Sequence, residues 1–175
     1  MPKIIEGARE KILANAKRRL FEKGYQHLSL REVARESGIA TGTIYNYFAN
    51  KDYLIANIIL EDWDAATKKM DGYIKEANSV KEGVFSICQS LDEFCDIYVS
   101  IWKQPSVAAA ASPDMAYRHG FLAGQIGEKV NQLLDLRGYG KQKKFTALIT
   151  ELILSSNGKP EVREQLAELL EHLYP

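Results

Sequence analysis

Apolar residues recur at helical spacing along nearly the whole chain, and no stretch alternates apolar and polar positions as a half-buried strand would. The pattern predicts an all-α fold. Its helices cover about 3–23, 29–37, 41–48, 51–77, 80–103, 114–136, 140–156 and 160–174.

Residues at the ends of these segments support the predicted boundaries. Gly24 is suited to end the first helix. The segment SLRE at 29–32 is a capping box, in which the Ser29 hydroxyl accepts from the Glu32 amide. Asn50 can cap the long fourth helix, and Pro160 can open the last one.

The later helices differ in how their apolar residues are distributed. The fifth helix is apolar almost all round, which is typical of a helix in the middle of a bundle. Each of the last two carries a single apolar stripe, and together they form a hairpin around the sequence NGKP.

Charge separates the first third of the chain from the rest. Residues 1–52 contain 10 Lys or Arg against 6 Asp or Glu, whereas residues 53–175 contain 13 against 17. A basic segment joined to an acidic remainder indicates a small head that faces a polyanion, attached to a larger body. No apolar stretch is long enough for a membrane span or a secretory signal, so we expect a cytoplasmic protein that has no membrane partner.

The sequence contains few features that indicate an enzyme. His27, His119 and His172 lie in separate elements, and there is no phosphate-binding loop or nucleophile elbow. Cys88 and Cys95 are seven residues apart on one helix, about 10 Å, which is too far for a disulfide. We expect no catalytic centre, no metal site and no cofactor. A helical adaptor that binds only protein would fit the body but not the head.

Residues 29–48 read as a helix, a tight turn and a second helix. Ala34 is small enough to let the two helices cross closely, Gly38 accepts a left-handed turn, and Ile44 anchors the second helix to the core. This is the helix-turn-helix pattern, whose second helix enters the major groove of DNA.

The flanking sequence GIATGTIYNYFANKDYL closely resembles the recognition segment of the TetR family of bacterial transcriptional regulators. That family has a glycine, a Gly-Thr pair, an aromatic block, and then a lysine and a leucine at fixed spacing. This chain meets every position, with Gly38, Gly42, Thr43, residues 44–48, Lys51 and Leu54. The resemblance covers about residues 9–55 and implies a DNA-binding head over 1–50 and a body over 51–175.

The start of the recognition helix is where the resemblance implies base contacts. Thr41, Gly42 and Thr43 lie at its N-terminus, where side chains reach base edges and backbone amides can meet phosphate. Asn46 can pair with adenine through two hydrogen bonds.

Phosphate contacts are expected around that helix. Tyr45 and Tyr47 end in hydroxyl groups on its two flanks, and Lys51 follows at the start of the fourth helix. Ser29 and Arg31, at the mouth of the second helix, are further candidates.

One residue departs from the family pattern. Ala40 stands where many relatives have a capping serine, and Thr41 can take that role at the expense of its availability for bases. The alternative for the whole segment is an ordinary tyrosine-rich surface helix.

By resemblance, the body forms a homodimer and senses a small molecule. The expected dimer surface is the terminal hairpin, with Phe145, Leu148, Leu152, Leu166, Leu169 and Leu173. We expect a mainly apolar pocket between the fourth, fifth and 114–136 helices, lined by Trp63, Phe85, Cys88, Leu91, Tyr98, Trp102, Tyr117 and Phe121.

The acidic residues of the fifth helix are compatible with more than one interpretation. Asp92, Glu93 and Asp96 suit a cationic ligand or a solvated face. The expected function is a repressor that a mainly apolar effector releases from operator DNA.

Overall fold

The computed structural model describes residues 6–102 and 115–175. Within those residues the chain is helical and contains no strand. The α-helices are α1 (Ala8–Lys23), α2 (Leu30–Ser37), α3 (Thr41–Tyr47), α4 (Lys51–Glu76), α5 (Val80–Trp102), α6 (Met115–Leu136), α7 (Thr146–Ser155) and α8 (Pro160–Leu173). The predicted all-α fold is confirmed.

The chain packs as two compact units. The first comprises the described residues up to Trp63 together with the last two residues of α5, and the second comprises Asp64–Ser100 and the described residues from Met115 onward. Helix α4 therefore contributes its first half to one unit and its second half to the other.

In the first unit, α1 to α3 and the start of α4 share one apolar core. The fully buried side chains include those of Ile12, Leu20, Val33, Ile44, Phe48, Leu54 and Ile58. The predicted Asn50 cap is present, because the Asn50 side-chain oxygen accepts from the Tyr53 amide at 2.7 Å.

In the second unit, α5 packs closely against α6 and the terminal hairpin. A Cβ placed on Gly83 would lie 2.5 Å from a methyl of Leu133, so only glycine fits this contact between α5 and α6 without movement. Asp92 on α5 pairs with Arg163 and accepts from Asn157 at 2.7 Å, which fastens the hairpin to the same helix.

Two predicted helices are wrong at their starts. The first was expected from about residue 3, but α1 begins only at Ala8, because the chain turns at Gly7, which lies in the left-handed region at φ 69°.

The other helix was expected over about 140–156, but Gly140–Phe145 is a 3-10 segment and α7 begins only at Thr146. The chain is non-helical at Gln142, whose carbonyl accepts from the Tyr174 hydroxyl at 3.4 Å. Glycine at residue 140 is a weak helix former, which favours a later start of the α-helix. None of the helices that the structure describes is long and apolar enough to cross a membrane.

Candidate nucleic-acid interface

The turn between α2 and α3 adopts the geometry that the sequence predicts. Gly38 lies in the left-handed region at φ 71° and ψ 29°, where a residue with a Cβ would be strained. Its N–H donates to the Arg35 carbonyl at 3.2 Å, and the Ile39 N–H donates to Ala34 at 3.0 Å. The Ala34 side chain is fully buried. These bonds end α2 and redirect the chain into α3.

Two apolar side chains fix which face of α3 is turned outward. Ile44 on α3 and Phe48 directly after it are both 0% exposed. The opposite face therefore carries the exposed residues, which are Thr41, Gly42, Tyr45 and Asn46. Thr43 and Tyr47 lie at the boundary and are half-buried.

The structure shows which residue occupies the N-cap position of α3. Ala40 occupies the N-cap position and no side chain caps the helix, while the Thr43 N–H donates to the Ala40 carbonyl at 2.8 Å. The alternative in which Thr41 caps the helix is wrong. As the first helical residue, Thr41 is exposed.

The two candidates at the mouth of α2 have different surroundings. The Ser29 hydroxyl accepts from the Glu32 amide at 3.3 Å, which confirms the N-cap bond of the predicted capping box, and it donates to the Glu32 carboxylate at 3.3 Å. Both contacts commit the hydroxyl to the helix. Arg31 is exposed, and its side chain takes part in no ion pair or hydrogen bond among the described residues. Its guanidinium is available to a phosphate.

Lys51 is folded back onto the connection between α1 and α2. Its Nζ donates to the Tyr25 carbonyl at 2.7 Å and lies 3.8 Å from the centroid of the Tyr25 ring. Burial lowers the pKa of Lys51, and the neighbouring Asp52 carboxylate opposes that shift. An ammonium has three hydrogens, so two remain for another acceptor.

Arg19 is a structural residue of the head that the sequence analysis missed. Its side chain is 3% exposed and pairs with both Glu32 and Glu36 on α2. Arg18 also reaches Glu36, at 2.9 Å. Desolvation raises the pKa of Glu36, but the hydrogen bond and charge of Arg19 together with Arg18 hold it below its ordinary value.

The position of Arg19 in the sequence carries a signal that could have revealed this role. It follows Ile12 by seven residues and Ala16 by three, so it falls on the apolar stripe of α1. Glu32 and Glu36 are one turn apart on α2 and present two carboxylates on one face. A buried arginine opposite this pair joins α1 to α2.

Residues 12–58 match the model of a known family, the bacterial regulatory proteins of the tetR family. The matched segment contains all of α2 and α3 and the turn between them. Over residues 12–58 the chain therefore carries a helix-turn-helix segment of the TetR type.

Several curated regulators are similar in sequence. The transcriptional regulator HbdR of Aromatoleum sp. (strain CIB) is 26% identical, over 58% of this chain and 46% of that protein. The regulator UidR of Escherichia coli (strain K12) is 31% identical, over 55% of this chain and 54% of its own length. The fatty acid metabolism regulator protein of Bacillus subtilis (strain 168) is 33% identical, over 36% of this chain and 32% of its own. This chain spans about half the length of these relatives or less. By name these relatives are regulators, in agreement with the expectation of a regulatory protein.

Solved structures extend the similarity in fold to nearly the whole chain. A transcriptional regulator from Streptomyces coelicolor A3(2) superposes with a TM-score of 0.61 at 19% identity, covering 95% of this chain and 98% of that one. The fatty acid degradation regulator FadR from Bacillus halodurans gives 0.53 at 19% identity, covering 96% of each chain.

The candidate ligand-binding residues have mixed surroundings. Trp63, Cys88, Leu91 and Tyr98 are buried, Phe85 is half-buried and Phe121 is 41% exposed. The side chains of Trp102 and Tyr117 lie outside the described residues. An open groove of about 430 Å³ lies elsewhere in the second unit, between α6 and α7, and none of the eight candidates lines it.

The candidate dimer residues are mostly accessible at the surface of the second unit. Leu148 is 48% exposed. Four others are half-buried, namely Phe145, Leu152, Leu169 and Leu173. Leu166 is 0% exposed within its own unit and offers no surface to a second copy.

Proposed function

We propose that this chain is a DNA-binding transcriptional regulator that reads its operator with α3. The observation that carries the proposal is the orientation of α3. Ile44 and Phe48 hold one face in the core, and polar residues that can meet a duplex lie on the other. In the helix-turn-helix arrangement that exposed face enters the major groove.

In this proposal the polar residues of α3 and of the mouth of α2 divide into residues that read bases and residues that bind the DNA backbone. Thr41, Thr43 and Asn46 are placed for base edges, and Asn46 suits adenine through two hydrogen bonds. Arg31 and the tyrosine hydroxyls of Tyr45 and Tyr47 suit phosphate, which fixes register without reading sequence.

In the same proposal the protein acts as a homodimer. An operator with two half-sites requires two heads, each placing an α3 in the major groove. Residues 1–50 form the head in this account, and residues 51–175 form the body that dimerises through the terminal hairpin. The accessible apolar side chains of Leu148, Leu152 and Leu169 support this use of the hairpin.

In this account the regulator is a repressor that a small, mainly apolar effector releases. Helix α4 belongs to both compact units, which favours it as the element through which the body acts on the head. An effector can act only through different affinities for the two states of the protein. Two of the similar proteins are regulators of fatty acid metabolism or degradation by name, which favours an apolar effector.

Selection of bound duplexes from a random DNA pool tests the proposal. We expect the purified protein to enrich a palindrome whose half-sites repeat at a helical turn of DNA or a multiple of it. Selection without protein is the control. Failure to enrich any sequence above that control would contradict the proposal.

Thermal melting with a library of apolar metabolites tests the effector. We expect a compound that raises the melting temperature and weakens operator binding roughly 5- to 150-fold, the usual range of allosteric coupling. A stabilising compound that leaves operator binding unchanged would contradict the effector mechanism.

A further inference from the structure

Tyr25 makes three separate polar contacts with the first turn of α4. Its hydroxyl donates to Asp52 Oδ1 at 2.7 Å. Its carbonyl accepts from Lys51 Nζ at 2.7 Å, and the same ammonium lies over its ring at 3.8 Å. Tyr25 is 8% exposed, Lys51 is half-buried and Asp52 is exposed, so the tyrosine end of this arrangement is packed into the head.

These contacts join elements that are distant in sequence. Tyr25 opens the 3-10 turn Tyr25–His27 between α1 and α2, whereas Lys51 and Asp52 are the first two residues of α4. The neighbouring buried residues Leu54 and Ile58 also attach α4 to the head, but apolar contacts are non-directional. Directed bonds from both opening residues restrain the rotation and tilt of α4 in a way that apolar burial does not.

We propose that Tyr25, Lys51 and Asp52 form a clamp that sets the angle between α4 and the DNA-binding helices. Tyr25 is then a positioning residue for DNA binding and touches no nucleotide itself. This inference rests on the proposed function. It also assigns Lys51 a role inside the protein, because one hydrogen of its ammonium is committed to the Tyr25 carbonyl.

Asp52 provides a test in which the clamp and simple electrostatics predict opposite signs. A carboxylate on a DNA-binding head repels phosphate, so removal of a solvated one strengthens binding. If Asp52 holds Tyr25, its removal to alanine weakens binding instead. Asp52→Asn separates the two effects, because the amide oxygen still accepts from the Tyr25 hydroxyl while the charge is lost.

The experiment measures the dissociation constant of the selected operator duplex at several salt concentrations. Tyr25→Phe and Asp52→Ala are each expected to weaken binding roughly threefold to tenfold, the effect of about one hydrogen bond, with an unchanged salt slope. Asp52→Asn should bind at least as tightly as the wild type. Glu10→Ala is the matched control, since Glu10 is exposed on α1 with no partner among the described residues. It should bind equally or more tightly.

Three results would overturn the clamp. One is Asp52→Ala binding more tightly, like the Glu10 control. Another is wild-type affinity for Tyr25→Phe. The third is a smaller salt slope for Tyr25→Phe, which would mean that the Tyr25 hydroxyl binds a phosphate directly and does not position α4.

Hydrogen exchange tests the clamp even if the wild-type protein binds no duplex and the proposed function is wrong. The Leu54 amide donates to the Asn50 carbonyl at 3.1 Å in the first turn of α4. We expect it to exchange roughly threefold to tenfold faster in Tyr25→Phe and Asp52→Ala than in the wild type, and at the wild-type rate in Asp52→Asn. Equal exchange in all four proteins would overturn the clamp.

Discussion

Arg31 and Asn46 are both polar residues of the head, but their chemistry suits them to different roles in binding a DNA duplex. Arg31 is an exposed cation without a partner among the described residues, which suits a phosphate. Asn46 is uncharged and lies on the outward face of α3, opposite the buried Ile44. Phosphate contacts contribute affinity for every sequence, whereas base contacts discriminate between sequences.

Substitution of each residue by alanine should separate these contributions. Arg31→Ala is expected to weaken binding to all duplexes and to reduce the salt slope by about one for each phosphate that is no longer neutralised. Asn46→Ala should keep the salt slope and reduce the preference at one base pair of each half-site by about 1–3 kcal/mol. Titrations of matched and single-mismatch duplexes at several salt concentrations measure both. A changed base preference for Arg31→Ala with an unchanged slope would contradict the assignment.

At the scale of helices, the close approach of α5 and α6 depends on a residue without a side chain. Gly83 faces Leu133, which is 0% exposed, so a Cβ at residue 83 requires a buried side chain to move. Gly72 is also inside a helix, in α4, but it is exposed and a Cβ there would have no neighbour within 4 Å. The same substitution should therefore have opposite effects at the two positions.

Gly83→Ala is expected to destabilise the protein by about 1–3 kcal/mol through overpacking. Gly72→Ala should stabilise it by roughly 0.5–1 kcal/mol, because alanine favours the helix and meets nothing. Denaturant unfolding of the two variants beside the wild type measures the free energies. Equal effects at both positions would show that the contact between Gly83 and Leu133 does not constrain the fold.

Much of the head could be predicted from the sequence, because its signals are local. The capping box at Ser29, the left-handed Gly38 and the buried Ile44 each follow from residues within one or two turns. The clamp of Tyr25 could not be predicted, since it joins residues 26 positions apart whose contact depends on the folded core. The predicted start of the helix at residue 140 was wrong for the same reason. The Gln142 carbonyl accepts a hydrogen bond from the Tyr174 hydroxyl, which lies far along the chain.

At the scale of the whole molecule, an operator with two half-sites requires two copies of the chain. Leu148 on α7 is the most accessible of the proposed dimer residues, and a leucine that is 48% exposed contributes little to the stability of a single chain. A charge at this position therefore tests association without disturbing the core.

Leu148→Glu is expected to weaken dimerisation at least roughly 100-fold, because a carboxylate would have to be desolvated in the interface. Sedimentation at micromolar protein concentration should show a dimer for the wild type and a monomer for the variant. Leu136→Glu is the matched control, since Leu136 is 51% exposed at the end of α6, and it should remain dimeric. A wild-type monomer that binds a palindrome tightly would contradict the dimer.

The central claim is that the exposed face of α3 reads a specific DNA sequence. It is tested most directly by titrating the protein with the selected operator and with a shuffled duplex of equal length and composition at physiological salt. The account predicts that the shuffled duplex binds about 1,000-fold more weakly or worse, as is usual for specific against non-specific DNA. Equal affinity for the two duplexes would contradict it.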